Sequence, residues 1–477
     1  MLLIFAGALL IFQPWALGGM HLWSQYIAAA LALIAFIVAL IPRRYTELHH
    51  AGGALRLIMW PKLLRFPFFW LGLIYFGYVL IQIYNPAWQF FRLGAGWAVM
   101  PIKHIAWLPH GVAGAPIEMM NGWRTLLIQI TPWLLVCALW VGITRRKSIR
   151  ILLTLIAVSG TVLALAVLLQ RLTGTKKILW LWDAPASYFA GTFIYKNHAG
   201  AFFVLIIATC LGLAWWHMVR AERELRKSHP GMIYVFMSLL VFTSLAFTYA
   251  RAATMLGALL LLLAAIGFVI RLFFRKSGGP PPIVSALTTL IGAGFLALCI
   301  VSFNTDSVWK KFERLTEEDA HSSITQRQLS ARATFDMAQT SLTYGHGAGS
   351  FRYVFPKFQQ QYPDILHPRY FHKKSGEYRY AKQRLFYEYA HNDYVQLLAE
   401  NGLVGVFLLG STLIVIVIAV WQNFVWRQPA LLLLLAGPAL VAINAWTDFP
   451  MHNPAILVGV CGVTALTLRW ATLGQKG

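Results

Sequence analysis

The sequence predicts an all-α integral membrane fold: about twelve transmembrane helices, with one long loop that itself contains helices. Three observations predict it. Of the 477 residues, 58% are hydrophobic and 12% charged, roughly half the charged fraction of ordinary soluble domains, and mean hydropathy is +0.62. The apolar residues fall into blocks of about twenty, the length that crosses hydrocarbon as a helix and satisfies its backbone polar groups internally. The loops between blocks alternate in chemistry, short and basic on one side, longer and aromatic on the other.

Taken in order, the blocks span 2–19, 24–42, 67–84, 124–144, 151–170, 199–217, 231–248, 253–273, 283–303, 403–424, 429–447 and 454–472. The first lacks a basic leader and an A-x-A site, so it is expected to be a retained span. One set of alternate loops carries Arg43, Arg44, Arg56, Lys62 and Arg65, then Arg145, Arg146, Lys147 and Arg150, then Arg220, Arg223, Arg226 and Lys227, then Arg271, Arg275 and Lys276. By the positive-inside rule this face is cytoplasmic. The formal charge of +23 is therefore read as orientation, and no nucleic-acid partner is expected. The turn Gly279-Pro280-Pro281-Pro282 breaks the chain before the ninth block. The organisation predicted is 1–303 for spans one to nine, 304–395 for a large loop, and 396–477 for spans ten to twelve.

The opposite, periplasmic face carries segments 85–123, 171–198 and 304–395, the turn near Arg251 and the turn Asp448 to Asn453. Trp88, Trp97, Trp107 and Trp123 read as interfacial aromatics, with sugar stacking as the alternative. Segment 304–395 is too long for a plain connection. A helix is expected over Thr325 to Ser341, where helix formers run without breakers. Tyr344-Gly345-His346-Gly347-Ala348-Gly349 marks a turn with unusual backbone angles. An aromatic and basic stretch follows through Tyr370, Phe371, His372, Lys373, Lys374, Tyr378, Arg379 and Tyr380, and a second helix is expected from Asn392 to Asn401. Cys137, Cys210, Cys299 and Cys461 each sit inside an apolar block, so neither a disulfide nor a metal site is assigned.

Certain charges lie where they are costly. Arg251 stands at a span end on the face where the positive-inside rule does not account for it. A guanidinium there offers a rigid fork of donors suited to phosphate; snorkelling to headgroups is the alternative. Arg327 and Arg332 fall on the first loop helix, about 140° apart around it, and Arg332 has Asp336 four residues on as a partner. His391 precedes the tenth span, and an imidazole titrates near neutrality, as a general base must; a structural histidine is the commoner case. Asn197, His198, Asp448 and His452 fall on the same face. There is no GxxxxGK[ST], no GxGxxG after a strand and no DxD pair. Neither a nucleotide-activated donor, nor a metal, nor any other cofactor is expected.

These residues resemble those of the O-antigen ligase and polymerase superfamily of bacterial membrane glycosyltransferases. His391-Asn392, nine residues, then Gly402-Leu403-Val404-Gly405 resembles the ligase pattern H-[NSQ]-x9-G-x-x-[GTY], and Ala399-Glu400-Asn401-Gly402 is similar to the family's A-E-x-G turn. Arg327 with Gly345, Gly347, Gly349 and Phe351 is similar to an R…G-x-G-x-G-x-F stretch. Gly191-Thr192-Phe193 with Asn197, and Asp448-Phe449 with His452 and Pro454, are shorter matches. The likeness covers about 190 to 460. It departs at the R-x3-L element, where Met255 stands in place of leucine.

The resemblance implies a GT-C-like fold in the bacterial inner membrane, with a site facing the periplasm. The donor would be a glycan on undecaprenyl diphosphate and the acceptor a hydroxyl on lipid A–core. His391 would act as base, and Arg251 and Arg327 would stabilise the departing diphosphate. Arg332, Asn392, Glu400, Asn197, His198 and His452 would contact or orient substrate. Inversion, without metal, follows from a single displacement. Two alternatives share this chemistry: a polymerase extending a lipid-linked glycan, and a protein O-oligosaccharyltransferase. A flippase, from another class, should show mid-span charges and repeat symmetry, and neither is present.

Overall fold

The computed structural model describes residues 1–45, 55–94, 96–185, 188–225, 229–273, 318–367, 369–372 and 377–473. Eleven of the twelve apolar blocks fold as helices, and the ninth, 283–303, lies outside the described residues together with the turn 279–282. The eleven are α1 (Leu2–Trp15), α2 (Leu22–Leu40), α3 (Pro67–Tyr84), α4 (Gly122–Gly142), α5 (Arg146–Leu172), α6 (Lys196–Arg223), α7 (Gly231–Phe247), α8 (Arg251–Phe273), α11 (Asp393–Gln422), α12 (Pro429–Asn444) and α13 (Pro454–Thr472). Eight are long and apolar enough to cross a membrane; α1, α7 and α12 are shorter apolar helices. The protein is a mostly helical, multi-pass membrane protein.

Helix α6 is the axis of the bundle. Its apolar window is 94% buried against 6% for α11, as expected of a helix that is hydrophobic on every side. Small residues let its neighbours close in: a Cβ on Gly437 would lie 2.8 Å from that of Ala208, and one on Gly160 would lie 2.5 Å from Ile206. The first turn of α6 is packed equally closely by α8. A Cβ on Gly200 would lie 2.6 Å from Ala250 Cβ and 2.9 Å from Ala253 Cβ, which sets the start of α8 beside Asn197-His198.

The loop region has its own core. Helices α9 (Glu318–Gln339) and α10 (Phe351–Gln359) bury Ala333, Met337, Phe351, Val354 and Phe355 together with Ala390 and Ala399. Helix α9 lies where a helix was expected over 325–341. The expected helix 392–401 exists as the first part of α11, which breaks at Gly402 (φ 60, ψ −170). Gly345, Gly347 and Gly349 all have positive φ. They dock against that break so closely that a Cβ on Gly345 would lie 2.4 Å from the Glu400 carbonyl carbon, and one on Gly402 would lie 2.4 Å from the Thr343 oxygen. The two glycine elements of the sequence are thus the two halves of one joint.

Strands are the feature that an all-α expectation omits. Residues 86–113 form a small sheet, β1 (Pro86–Leu93), β2 (Gly96–Pro101) and β3 (Gly111–Ala113), in the order β2-β1-β3. The aromatic residues Trp88, Phe90, Phe91 and Trp97 suit a half-buried strand. Trp97 stacks on Phe90 at 5.9 Å, and Trp88 lies beneath Lys357. Trp107 stays 73% exposed. Within the aromatic-basic stretch, β4 (Arg369–His372) pairs antiparallel with β5 (Glu377–Tyr380).

Candidate active site

The loop-side ends of α6, α9, α11 and α12 meet at one buried carboxylate, Asp448. Its two oxygens face different partners. Oδ1 lies 3.5 Å from His391 Nδ1, facing it without closing a hydrogen bond, and accepts the Phe449 N–H at 3.0 Å. Oδ2 accepts from the Asn197 side-chain amide at 2.5 Å and lies 3.9 Å from the Arg327 guanidinium. Arg327 also donates to the Thr447 carbonyl at 3.2 Å and reaches the Tyr195 hydroxyl at 3.5 Å. Burial pushes the Asp448 carboxyl up, but the His391 contact and the Arg327 charge outweigh it and hold the group below its ordinary value. Burial and the nearby Asp448 push the Tyr195 hydroxyl up, so it remains a neutral phenol.

Local backbone geometry delivers His391 to this point. His391 has φ 55, a left-handed conformation uncommon outside glycine. It reverses the chain so that Asn392 can cap α11, its Oδ1 accepting from Tyr394 N at 3.0 Å and Val395 N at 3.1 Å. The Asp393 N–H then donates to the Ala445 carbonyl at 2.9 Å, tying the His-Asn step to the turn that carries Asp448. Phe449 is the hub of an aromatic box. Tyr195 and Tyr389 stack on it at 5.4 and 4.5 Å, and His198 and His391 meet it edge-on at 4.9 and 5.0 Å.

A second imidazole–carboxylate pair lies beside the first. His452 Nδ1 is 2.6 Å from Asp393 Oδ1, and its Nε2 meets the Gln396 amide at 3.1 Å. Burial pushes the His452 imidazole down, but Asp393 and then Glu400 outweigh that and raise it. Gln396 links this pair to Glu400 at 3.2 Å and to the Ala390 N–H at 2.9 Å. Glu400 accepts from Gly349 N and Phe351 N, each at 3.1 Å. Its carboxylate clamps the glycine loop and, through Gln396, the peptide just before His391.

The residues singled out in the sequence therefore separate. His391, Arg327 and Asn197 converge on Asp448. His198 packs behind Phe449, its Nδ1 3.4 Å from the Asn453 amide. Asn392 and Glu400 hold backbone. His452 belongs to the second pair. Arg251 begins α8 at the same end of the bundle, exposed and beside the first turn of α6. Arg332 is exposed on α9 and stands by the Tyr362 hydroxyl, which donates to Asp336.

Three participants were given no role of their own from the sequence. Asp448 was one of several polar residues in a turn, and only packing reveals it as the hub. Asp393 follows the His-Asn step directly. Arg171 ends α5, donates to the Phe189 carbonyl at 3.0 Å and lies over the Tyr249 ring at 5.6 Å. That places a further guanidinium near the start of α8.

Residues 236–410 match the family model described as O-antigen ligase. The matched stretch runs from α7 into α11 and holds Arg251, Arg327, Arg332, His391, Asn392 and Glu400. No curated protein matches this sequence. The ligase-type match bears out the likeness carried by the motifs: over this stretch the chain is similar to the O-antigen ligase and polymerase superfamily, whose members are glycosyltransferase-like enzymes.

Proposed function

We propose that this protein is an O-antigen ligase-type glycosyltransferase. It moves a glycan from undecaprenyl diphosphate to a hydroxyl of lipid A–core on the periplasmic side of the bacterial inner membrane. The reading is carried by one observation: a single buried carboxylate holds His391 on one oxygen and Arg327 on the other. Asp448 faces Nδ1, which leaves Nε2 to receive the acceptor proton. The acceptor oxygen attacks the anomeric carbon as the sugar–diphosphate bond breaks. The electron pair leaves with the lipid diphosphate, whose growing charge is met by Arg327 and Arg251. A single displacement inverts the anomeric centre. Asn197 fixes Asp448, and Glu400 and Gln396 fix the backbone ahead of His391.

The experiment is a transfer assay with purified protein. An undecaprenyl-diphosphate glycan is offered with lipid A–core, with a second lipid-linked glycan, or with a serine-containing polypeptide, all in EDTA. A lipopolysaccharide product is expected, lost in His391→Ala and Arg327→Ala. Full activity in both variants would remove the mechanism, and strict metal dependence would remove the role given to the arginines. A longer lipid-linked chain would make the protein a polymerase, and a glycosylated polypeptide an O-oligosaccharyltransferase.

A further inference from the structure

Strand β2 and helix α10 wall a groove of about 600 Å³ that shares no lining residue with the Asp448 cluster. Four aromatic rings line it, Trp88, Trp97, Tyr353 and Phe386; Trp97 meets Tyr353 edge-on at 5.4 Å and Phe386 at 6.0 Å. Phe386 is 49% exposed. Lys357 and Arg384 are exposed and also line the groove, and none of the lining residues is acidic. Burial first, against the pull of Arg352 and Arg124, pushes the Tyr353 hydroxyl up to about 12, and it donates to the Met120 carbonyl at 2.6 Å. The ring is therefore fixed as a neutral wall.

Aromatic rings present apolar faces to the C–H faces of sugars, while guanidinium and ammonium groups select carboxylate or phosphate. A hydrocarbon chain would make no use of two cations, and the open, polar-rimmed shape does not exclude water as a lipid channel must. Position adds to the chemistry. One segment joins groove and cluster: Arg384, Leu385 and Phe386 line the groove, and Tyr387 meets His391 edge-on at 6.2 Å. Phe386 and His391 are five positions apart in sequence, so their Cα atoms lie at most about 18 Å apart. A short oligosaccharide spans that distance.

We propose that this groove is a glycan subsite that binds an acidic sugar unit of a substrate chain while another unit reacts at His391. The proposal rests on the glycosyltransferase reading above. It is tested with the full-length protein in nanodiscs, using tetragalacturonate, neutral maltotetraose and tetraglutamate as probes in saturation-transfer NMR and calorimetric titration. Tetragalacturonate is expected to bind at low salt about tenfold or more tighter than maltotetraose, as loss of one charge-assisted hydrogen bond implies. Lys357→Glu and Arg384→Glu are surface changes that leave the melting temperature in place, and each should erase that preference. Trp97→Ala should lose binding and Trp97→Phe should restore much of it. Equal binding of the acidic and neutral sugars, no binding of either, or equal binding of tetraglutamate overturns the proposal. Binding should be unchanged in His391→Ala. Binding without transfer in the wild type would sink the transferase reading alone, and transfer without binding would sink the groove alone.

Discussion

Replacing Asp448 by asparagine keeps the shape of the turn and removes one charge, so it isolates what that charge does. The group is 3% exposed and stands 3.5 Å from His391 Nδ1. A hydrogen bond to a charged group contributes about 1.5–3 kcal/mol. If that interaction strengthens as His391 takes up a proton, its loss lowers kcat by roughly 10- to 150-fold. The ceiling is set by general-base catalysis itself, about 10²–10⁴-fold, so Asp448→Asn should be milder than His391→Ala. The Arg327 contact is longer, at 3.9 Å, and the arginine side chain is 31% exposed. Screening keeps its share of the stability loss to about 1 kcal/mol. The assay is glycan transfer across pH 5.5–9 for wild type, both single variants and the double variant. The double variant should be no slower than His391→Ala, since the carboxylate acts through the histidine. Losses that multiply in the double variant would refute the positioning role.

Further outcomes follow from the surrounding geometry. Arg327→Lys keeps the charge but loses the planar fork that reaches Thr447, Tyr195 and Asp448; transfer should fall about tenfold or more, and activity equal to wild type would deny the fork a role. Glu400→Gln faces three N–H donors with one acceptor oxygen fewer, so the melting transition should drop by an amount equivalent to about 1–3 kcal/mol; an unchanged melting temperature counts against the clamp. Gly347→Ala would force φ 101 on a residue whose Cβ meets the Gly111 Cα at 2.3 Å. It should cost more than about 2 kcal/mol and leave little folded protein after detergent extraction. The His452 imidazole is raised by Asp393. The stability this pair provides is fully present below the unfolded value of about 6.5 and is lost as pH rises through the folded value. Scanning fluorimetry from pH 6 to 9 should show a falling melting temperature that His452→Gln flattens; parallel curves would remove the pair as the cause.

Much of this was legible in the chain itself, for physical reasons that differ by element. Apolar blocks are read from composition alone, because hydrocarbon imposes both length and helicity. That is why α6 or α13 is predictable without any knowledge of its neighbours. The glycine joint was half legible: Gly345, Gly347, Gly349 and Gly402 announced unusual backbone, but that they dock against one another is a tertiary fact. The sheet at 86–113 was missed because tryptophans near a span end fit an interfacial belt and a half-buried strand equally well. Asp448 was missed as a hub because a lone acid in a Thr-Asp-Phe-Pro turn has no periodicity or spacing that distinguishes it. Its importance comes from Asn197, Arg327 and His391, which lie 251, 121 and 57 residues away in sequence.

That separation explains how a site can be assembled where membrane helices end. Three chain segments must agree on one carboxylate: the first turn of α6, the loop helix α9 and the step into α11. Each is held by its own local device. Asn197 is fixed by the close packing of α8 on Gly200, α9 by its apolar core with α10, and His391 by the Asn392 cap and the clamp through Gln396 and Glu400. A charge at this depth is stable only while all three hold, because a buried carboxylate left without partners costs several kcal/mol. Disturbing any one device should therefore affect both folding and transfer. Asp448→Asn relieves that cost, so of the changes considered it should separate the two most cleanly: catalysis slowed, with the fold largely kept.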